Sequence, residues 1–328
     1  MVASASSAEM KIGSVRRSRL GRQLRTFPWL AIGPTVLLLV FLTVFPLLYS
    51  LYLSLHNYQL GGASDLVWFQ NYDTLLTEGL FWRKLLFTLE ITFFAVVIEL
   101  GLGLLCAVVL SKRLPGMGIF AMIVYIPMMI SPLVVAYFWR IMLDGSFGVL
   151  TYFADSLGFG KPQWTVNLTL AKVSLIATDV WQWTPFVTLL MLAGLQSVPG
   201  QLYEAAALDR ASAWMVFTRI TLPFLRIPIL LTLLFRTIDT FKFFEAPYII
   251  TQGGPGDLTE SLSLMAYNTG FEQSLLGMGA AISWLMLIVI YAIAWFLVKA
   301  LTHQRRRAEE AIIDPNAPVI GASGSVLR

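Results

Sequence analysis

Glu204-Ala205-Ala206-Ala207-Leu208-Asp209-Arg210-Ala211-Ser212, closed by Ile220-Thr221-Leu222-Pro223, is a polar interruption between two strongly apolar stretches. It reads as a small, alanine-faced helix on the surface of a membrane protein. Small side chains let backbones approach closely, so a partner can pack against such a helix at short range. The apolar stretches on either side decide the fold class. Of the 328 residues, 57% are hydrophobic and 13% charged, against roughly 25% charged in soluble proteins. With a mean hydropathy of +0.73, the chain reads as an all-α polytopic membrane protein.

Six spans are expected. The first is the charge-free run from Trp29 to Leu55, too long for the apolar core of a signal peptide and followed by no Ala-x-Ala site. Pro34 and Pro46 lie inside it, which membrane helices tolerate. The others are Leu85–Leu110, Gly118–Trp139 with Pro127 and Pro132, Val173–Val198, Phe224–Ile250 and Leu275–Val298. Gly148, Gly158, Gly160 and Pro162 break the loop before the fourth span. Residues 1–26 form a flexible basic tail, 27–303 the six-helix domain and 304–328 a disordered tail.

Charge orients the chain. On the side of both tails and the Glu204 loop stand Lys11, Arg16, Arg17, Arg19, Arg22, Arg25, Lys112, Arg113, Arg210, Arg219, Arg226, Arg305, Arg306 and Arg307. The opposite side has Arg83, Lys84 and Lys161, with Arg140 and Lys172 at its edge. The positive-inside rule makes the tails and the Glu204 loop cytoplasmic.

Ionisable residues inside spans are expensive and point to function. The fifth span holds Arg236, Asp239, Lys242 and Glu245, each three residues from the next, a spacing at which opposite charges on one helix can pair. Such a ladder could be self-neutralising, the simpler reading for Lys242 and Glu245. Counting along a continuous helix from Thr251 puts Asp239 roughly 18 Å and Arg236 roughly 22 Å below the outer face. The same arithmetic places Asp179 roughly 12 Å and Trp183 roughly 18 Å deep in the fourth span. Asp179, Trp181, Gln182, Trp183 and Phe186 therefore share a depth band with Arg236, Asp239 and Thr240. Carboxylates, an amide and a guanidinium beside indole faces suit a polyhydroxylated ligand, whose hydroxyls take paired hydrogen bonds and whose C–H face stacks on aromatics. Tryptophans in spans also serve as packing or belt residues.

Glu90 and Glu99 lie nine residues apart, half a turn out of phase, so they cannot share a site on one helix face. Glu99 is expected to bond a neighbouring helix or subunit. No phosphate loop is present: Gly160-Lys161 is followed by Pro162 and lacks the upstream glycine. There is no Gly-x-Ser-x-Gly elbow and no Cys/His metal spacing, so neither catalysis nor a metal site is expected. The single cysteine, Cys106, excludes an intrachain disulfide, and His56 and His303 read as solvated loop residues.

The Glu204–Pro223 pattern resembles the EAA loop of permease subunits of ABC importers. Further matches to the maltose- or trehalose-like sugar branch are Trp181-Gln182-Trp183-Thr184-Pro185, Leu192-Ala193-Gly194-Leu195-Gln196-Ser197-Val198-Pro199, Phe235-Arg236-Thr237-Ile238-Asp239 and Tyr248-Ile249-Ile250-Thr251-Gln252-Gly253-Gly254-Pro255. The resemblance implies a type I importer permease with six transmembrane helices and a cytoplasmic coupling helix between helices 4 and 5. It implies that Glu204, Ala205, Ala206, Asp209, Arg210 and the segment to Pro223 couple to an ATPase, and that helices four and five line the sugar path. Trp214 and Phe217 are candidate apolar anchors in the ATPase groove, or pack against this chain's own helices.

Implied partners are a second homologous permease, two ATPase subunits that bind the ATP and magnesium, an external solute-binding protein, the sugar and membrane lipid, with no nucleic acid. The implied setting is the cytoplasmic membrane of a prokaryote. A glycerol-phosphate permease and a proton-coupled secondary transporter are the alternatives. The family commonly carries glycine where this chain has Arg210. Glycine permits a left-handed backbone there, so Arg210 should either adopt right-handed geometry or accept the strain of a Cβ.

Overall fold

The computed structural model describes residues 32–59, 61–62, 64–112 and 115–313, with the backbone alone described for 303–313. The basic tail 1–26, Arg113 and residues 314–328 lie outside the described residues, as do the side chains of His303 and Arg305–Arg307. The chain is helical almost throughout. Nothing in a bilayer can satisfy a bare peptide group, and a helix bonds its own.

Helix α1 spans Ile32–Ser54 and lies outside the bundle, with none of its most apolar stretch buried. A hairpin of two three-residue strands, β1 (His56–Tyr58) and β2 (Ser64–Leu66), comes next, then α2 (Gln70–Thr77). His56 is buried here: Nδ1 lies 2.7 Å from the Tyr52 carbonyl and the two rings sit 4.1 Å apart. That overturns its reading as a solvated loop residue, because the hairpin backbone at His56 and Tyr58 packs against Gly277 at the start of the last helix.

The long helices α3 (Leu80–Leu110) and α7 (Leu168–Gln196) pack side by side and form the centre of the bundle. Close approach is licensed by Gly103, where a Cβ would meet Val187 Cγ1 at 2.5 Å, and by Gly194, where it would meet Pro228 Cγ at 2.7 Å on the next helix. Asn167 caps α7 by accepting from the Leu170 amide at 3.1 Å. Among the described residues the core falls into three clusters. One lies around Phe81, Phe241, Leu262 and Ile282, a second around Phe87, Ile91, Leu175 and Ile249, and a third joins Ala107, Val187 and Met191.

Two spans depart from the straight helices expected of them. The third is a pair, α4 (Met117–Met129) and α5 (Pro132–Met142), bent by 97°. Pro132 forces the break: it disfavours helical geometry at Ser131, which with Ile130 is extended. The Gln182 amide caps the opening by donating to the Ile130 carbonyl at 3.1 Å.

The fifth span also breaks. Helix α9 (Ala213–Val216) runs through a π-helical stretch, Phe217–Thr221, into α10 (Leu222–Phe241), which ends well short of Ile250. Lys242 caps it, and a separate turn, Pro247–Thr251, packs against α5, where Arg140 Nη1 donates to the Ile249 carbonyl at 2.9 Å. Lys242 and Glu245 thus do not continue the helical ladder of Arg236 and Asp239. The depths counted inward from Thr251 assumed a continuous helix and do not apply. Between these elements lie α6 (Val149–Ser156), α8 (Gly200–Leu208) and α11 (Leu262–Tyr267). Helix α12 (Leu276–Ile313) continues beyond residue 303 into the stretch expected to be disordered.

Candidate functional site

Arg236, on α10, is the centre of the buried charge. Its Nε and Nη2 donate to the two oxygens of Glu99 at 2.6 and 2.8 Å, a bidentate grip from α10 to α3. Nη2 also lies 2.9 Å from Asp179 Oδ2 on α7 and 2.8 Å from Thr240 Oγ1, while Nη1 donates to Asp239 Oδ2 at 2.7 Å. Arg236, Glu99 and Asp179 are buried; Asp239 is half-exposed. A planar guanidinium with five donors in a fixed fork suits this work, since it can bond carboxylates from three directions at once. The Trp183 ring covers it, 4.9 Å from Cζ.

Beside this network is a cavity of about 230 Å³ lined by Asp179, Gln182, Trp183, Asp239, Lys242 and Glu245, with Pro132, Thr178, Phe243 and Ala246 completing the wall. Both helix breaks border it: Pro132 opens α5, and residues 242–246 come directly after the end of α10. Non-helical backbone at membrane depth is tolerated where it lines a cavity.

Of the residues singled out in the sequence, Asp179, Gln182, Trp183 and Asp239 line the cavity, and Arg236 and Thr240 stand directly behind them. Phe186 is edge-on to Trp183, with ring centroids 6.5 Å apart. Trp181 is not brought in. Two residues along a helix from Trp183, it points to another face, meets Trp139 at 6.2 Å and lines a separate apolar groove of about 840 Å³. Glu99 was missed as part of the site. Its signal in the sequence was an excess of intramembrane carboxylates over cations, which leaves Arg236 more than one partner. Glu90 belongs elsewhere, paired with Lys172 at 2.6 Å, so the two glutamates on α3 serve different sites.

The second candidate region is α8 together with α9. Glu204, Ala205, Asp209 and Arg210 are exposed, and Ala206 alone among the alanines of the quoted stretch is buried. Helix α8 ends in a Schellman motif: the Arg210 amide donates to the Ala207 carbonyl at 3.2 Å and the Ala211 amide to the Ala206 carbonyl at 2.9 Å. Arg210 sits at φ +53°, left-handed, so this arginine accepts the geometry that glycine would adopt freely.

Ser212 then caps α9, accepting from the Met215 amide at 3.2 Å. Trp214 is 73% exposed, while Phe217, 6.0 Å away, is half-buried. Leu208 is 85% exposed beside them, leaving an uncovered apolar surface at the α8–α9 corner. Tyr203 ties the corner to the bundle through a 3.1 Å contact with Thr221 Oγ1, two residues before Pro223 begins to shape α10.

A family model described as the binding-protein-dependent transport system inner membrane component matches residues 99–305, more than half of the chain. The chain is 39% identical over 284 residues to a probable ABC transporter permease protein, y4oQ, of Sinorhizobium fredii, covering 86% of this chain and 91% of that one. It is 35% identical over 263 residues to the trehalose/maltose transport system permease protein MalF of Thermococcus litoralis, covering 80% and 89%. Among solved structures, a bacterial alginate ABC transporter in complex with an alginate pentasaccharide-bound periplasmic protein matches with a TM-score of 0.76 at 21% identity. That match covers 88% of this chain and 97% of the other, and it bears on the fold. The resemblance carried by the Glu204 loop and the spans is thereby confirmed, and the chain belongs to the binding-protein-dependent transport system inner membrane component family, as a permease subunit of an ABC transporter.

Proposed function

We propose that this chain forms one half of the membrane pathway of an ATP-driven sugar importer, and that the cavity bounded by Asp179, Gln182, Trp183 and Asp239 is its contribution to the path. The observation that carries the reading is the meeting of two helix breaks at a cavity walled by an indole, an amide and carboxylates. Hydroxyls of a di- or oligosaccharide or polyol would donate to the carboxylates, and a sugar ring would stack on Trp183. At about 230 Å³ the cavity is smaller than the roughly 300–1,000 Å³ of common ligand pockets. A second, homologous permease would complete it.

The exposed corner formed by Glu204, Ala205, Asp209, Arg210, Leu208 and Trp214 is the docking surface for the ATPase in this reading. Two ATPase subunits, binding ATP and magnesium, would close on nucleotide and push α8, and through Tyr203 and Thr221 move α10. Access to the cavity would alternate between an outer solute-binding protein and the cytoplasm. The charge bias along the sequence supports a cytoplasmic position for α8 and both termini. The loops at 56–84, 143–170 and 251–274 would then face the binding protein.

Vesicles containing both permeases and the ATPases, supplied with the binding protein, should accumulate labelled disaccharide only with ATP, and a proton uncoupler should have no effect. Uptake that tracks a proton gradient without nucleotide hydrolysis would overturn the reading.

A further inference from the structure

We propose that the cavity selects its cargo by charge, admitting neutral and amino sugars and excluding sugars that bear a phosphate, sulfonate or carboxylate. The proposal rests on the reading of this cavity as a sugar path and names the substrate class that path accepts.

The balance of charge at the wall decides whether an anion can be held. Four of the five N–H donors of Arg236 are committed: Glu99 takes Nε and one Nη2 hydrogen, Asp179 and Thr240 crowd the other Nη2 hydrogen, and Asp239 takes one of the two on Nη1. Trp183 lies over its face. Around Arg236 there are thus three carboxylates against one cation. A proton held within the buried group would shrink that excess without reversing its sign. Lys242, the cation on the wall itself, is outnumbered there by the carboxylates of Asp179, Asp239 and Glu245.

A cargo entering here meets carboxylate oxygens on Asp179, Asp239 and Glu245 together with the Gln182 amide. Hydroxyl groups can donate to all of these, and an ammonium does so with charge assistance. A phosphate, sulfonate or carboxylate meets a surplus of like charge there.

The test uses three probes that share a ring and differ in charge: glucose, glucosamine and glucuronate. The complete transporter in nanodiscs, without binding protein, is titrated with each while saturation transfer to the ring protons is monitored by NMR. The expected result is a signal for glucose and glucosamine that drops in Trp183→Ala, with a glucuronate signal weaker by about tenfold, the equivalent of one modest charge contact. Asp239→Asn, a change at a half-exposed carboxylate that also serves where Trp183→Ala does not fold, should raise glucuronate relative to glucose.

Glucuronate binding as strongly as glucose, with the same dependence on Trp183, would overturn the charge selection and leave the sugar path standing. So would an unchanged ratio in Asp239→Asn. If no probe gives a Trp183-dependent signal while ATP-driven sugar uptake persists, the path lies elsewhere and the proposal fails with it. If uptake of every sugar is absent as well, the sugar reading itself is wrong.

Discussion

Arg236 and Glu99, 137 positions apart, form a bidentate ion pair at 2.6 and 2.8 Å that joins α10 to α3 with both side chains buried. Removing Arg236 strands Glu99 and Asp179 as uncompensated buried carboxylates, whereas removing Glu99 leaves Arg236 paired with Asp179 and Asp239. Arg236→Ala should therefore destabilise the purified complex by about 3–5 kcal/mol, and Glu99→Ala by less. Combining the two should cost less than the single changes together, because Glu99 is then no longer stranded. Thermal denaturation of the four proteins checks this; additive losses would mean that the pair is not coupled.

Arg210 tests the strain at the end of α8. A left-handed residue with a Cβ costs about 1–2 kcal/mol relative to glycine, partly offset by the greater freedom that glycine gives the unfolded chain. Arg210→Gly should leave α8 intact and ATPase docking unchanged in a pull-down. Loss of assembly would show that docking depends on the guanidinium itself and not on the shape and apolar side chains of the corner.

An ion cluster on the side opposite α8 makes a prediction about pH. Lys84 Nζ lies 2.8 Å from Asp257 Oδ2 and 2.9 Å from Glu260 Oε2, and it also donates to the Asp257 carbonyl. The hydrogen bond from Lys84 holds the Asp257 carboxyl below the usual carboxylate range. Partial burial opposes the shift, and the charges of Lys84 and Arg83 reinforce it. A folded-state value depressed below the unfolded one, about 3.9, gives a contribution that is complete above that value and lost as pH falls through the folded value. Loop 252–260 should keep its protease resistance from pH 7 to pH 5 and lose it below about pH 4. In Asp257→Asn that acid step should shrink, and an unchanged step would assign it to another group.

Gly194 reports on the fit between α7 and α10. A Cβ there would meet Pro228 Cγ at 2.7 Å and Leu225 Cδ2 at 2.8 Å, a ring and a core side chain with little room to yield. Gly194→Ala should cost about 1–3 kcal/mol through overpacking. The same change at Gly101, where nothing lies within 4 Å, should be close to neutral. Equal melting temperatures for the two variants would refute the close contact.

Hydropathy and charge, read along the chain, were sufficient for six apolar spans and for an exposed alanine-rich helix between the fourth and fifth. Both signals are local: a bilayer demands about 20 consecutive apolar residues, and a helix cap or a Schellman end is written within a few positions. The depth band that grouped Asp179, Gln182 and Trp183 with Arg236 and Asp239 was also legible, although its arithmetic assumed a straight helix.

What only the tertiary structure decided is which carboxylates Arg236 holds, that Trp181 turns away from the cavity, and that two spans break beside it. Glu99 and Arg236 meet because α3 and α10 cross at that level, a relation between distant segments that no local pattern encodes. The breaks at Ile130–Ser131 and Lys242–Phe244 persist because packing supplies partners for freed backbone groups, through the Gln182 amide at the first and the Ser261 hydroxyl, which donates to the Phe243 carbonyl at 2.7 Å, at the second. A proline or a charge can mark such a place in the sequence, but the bend itself depends on what waits across the gap.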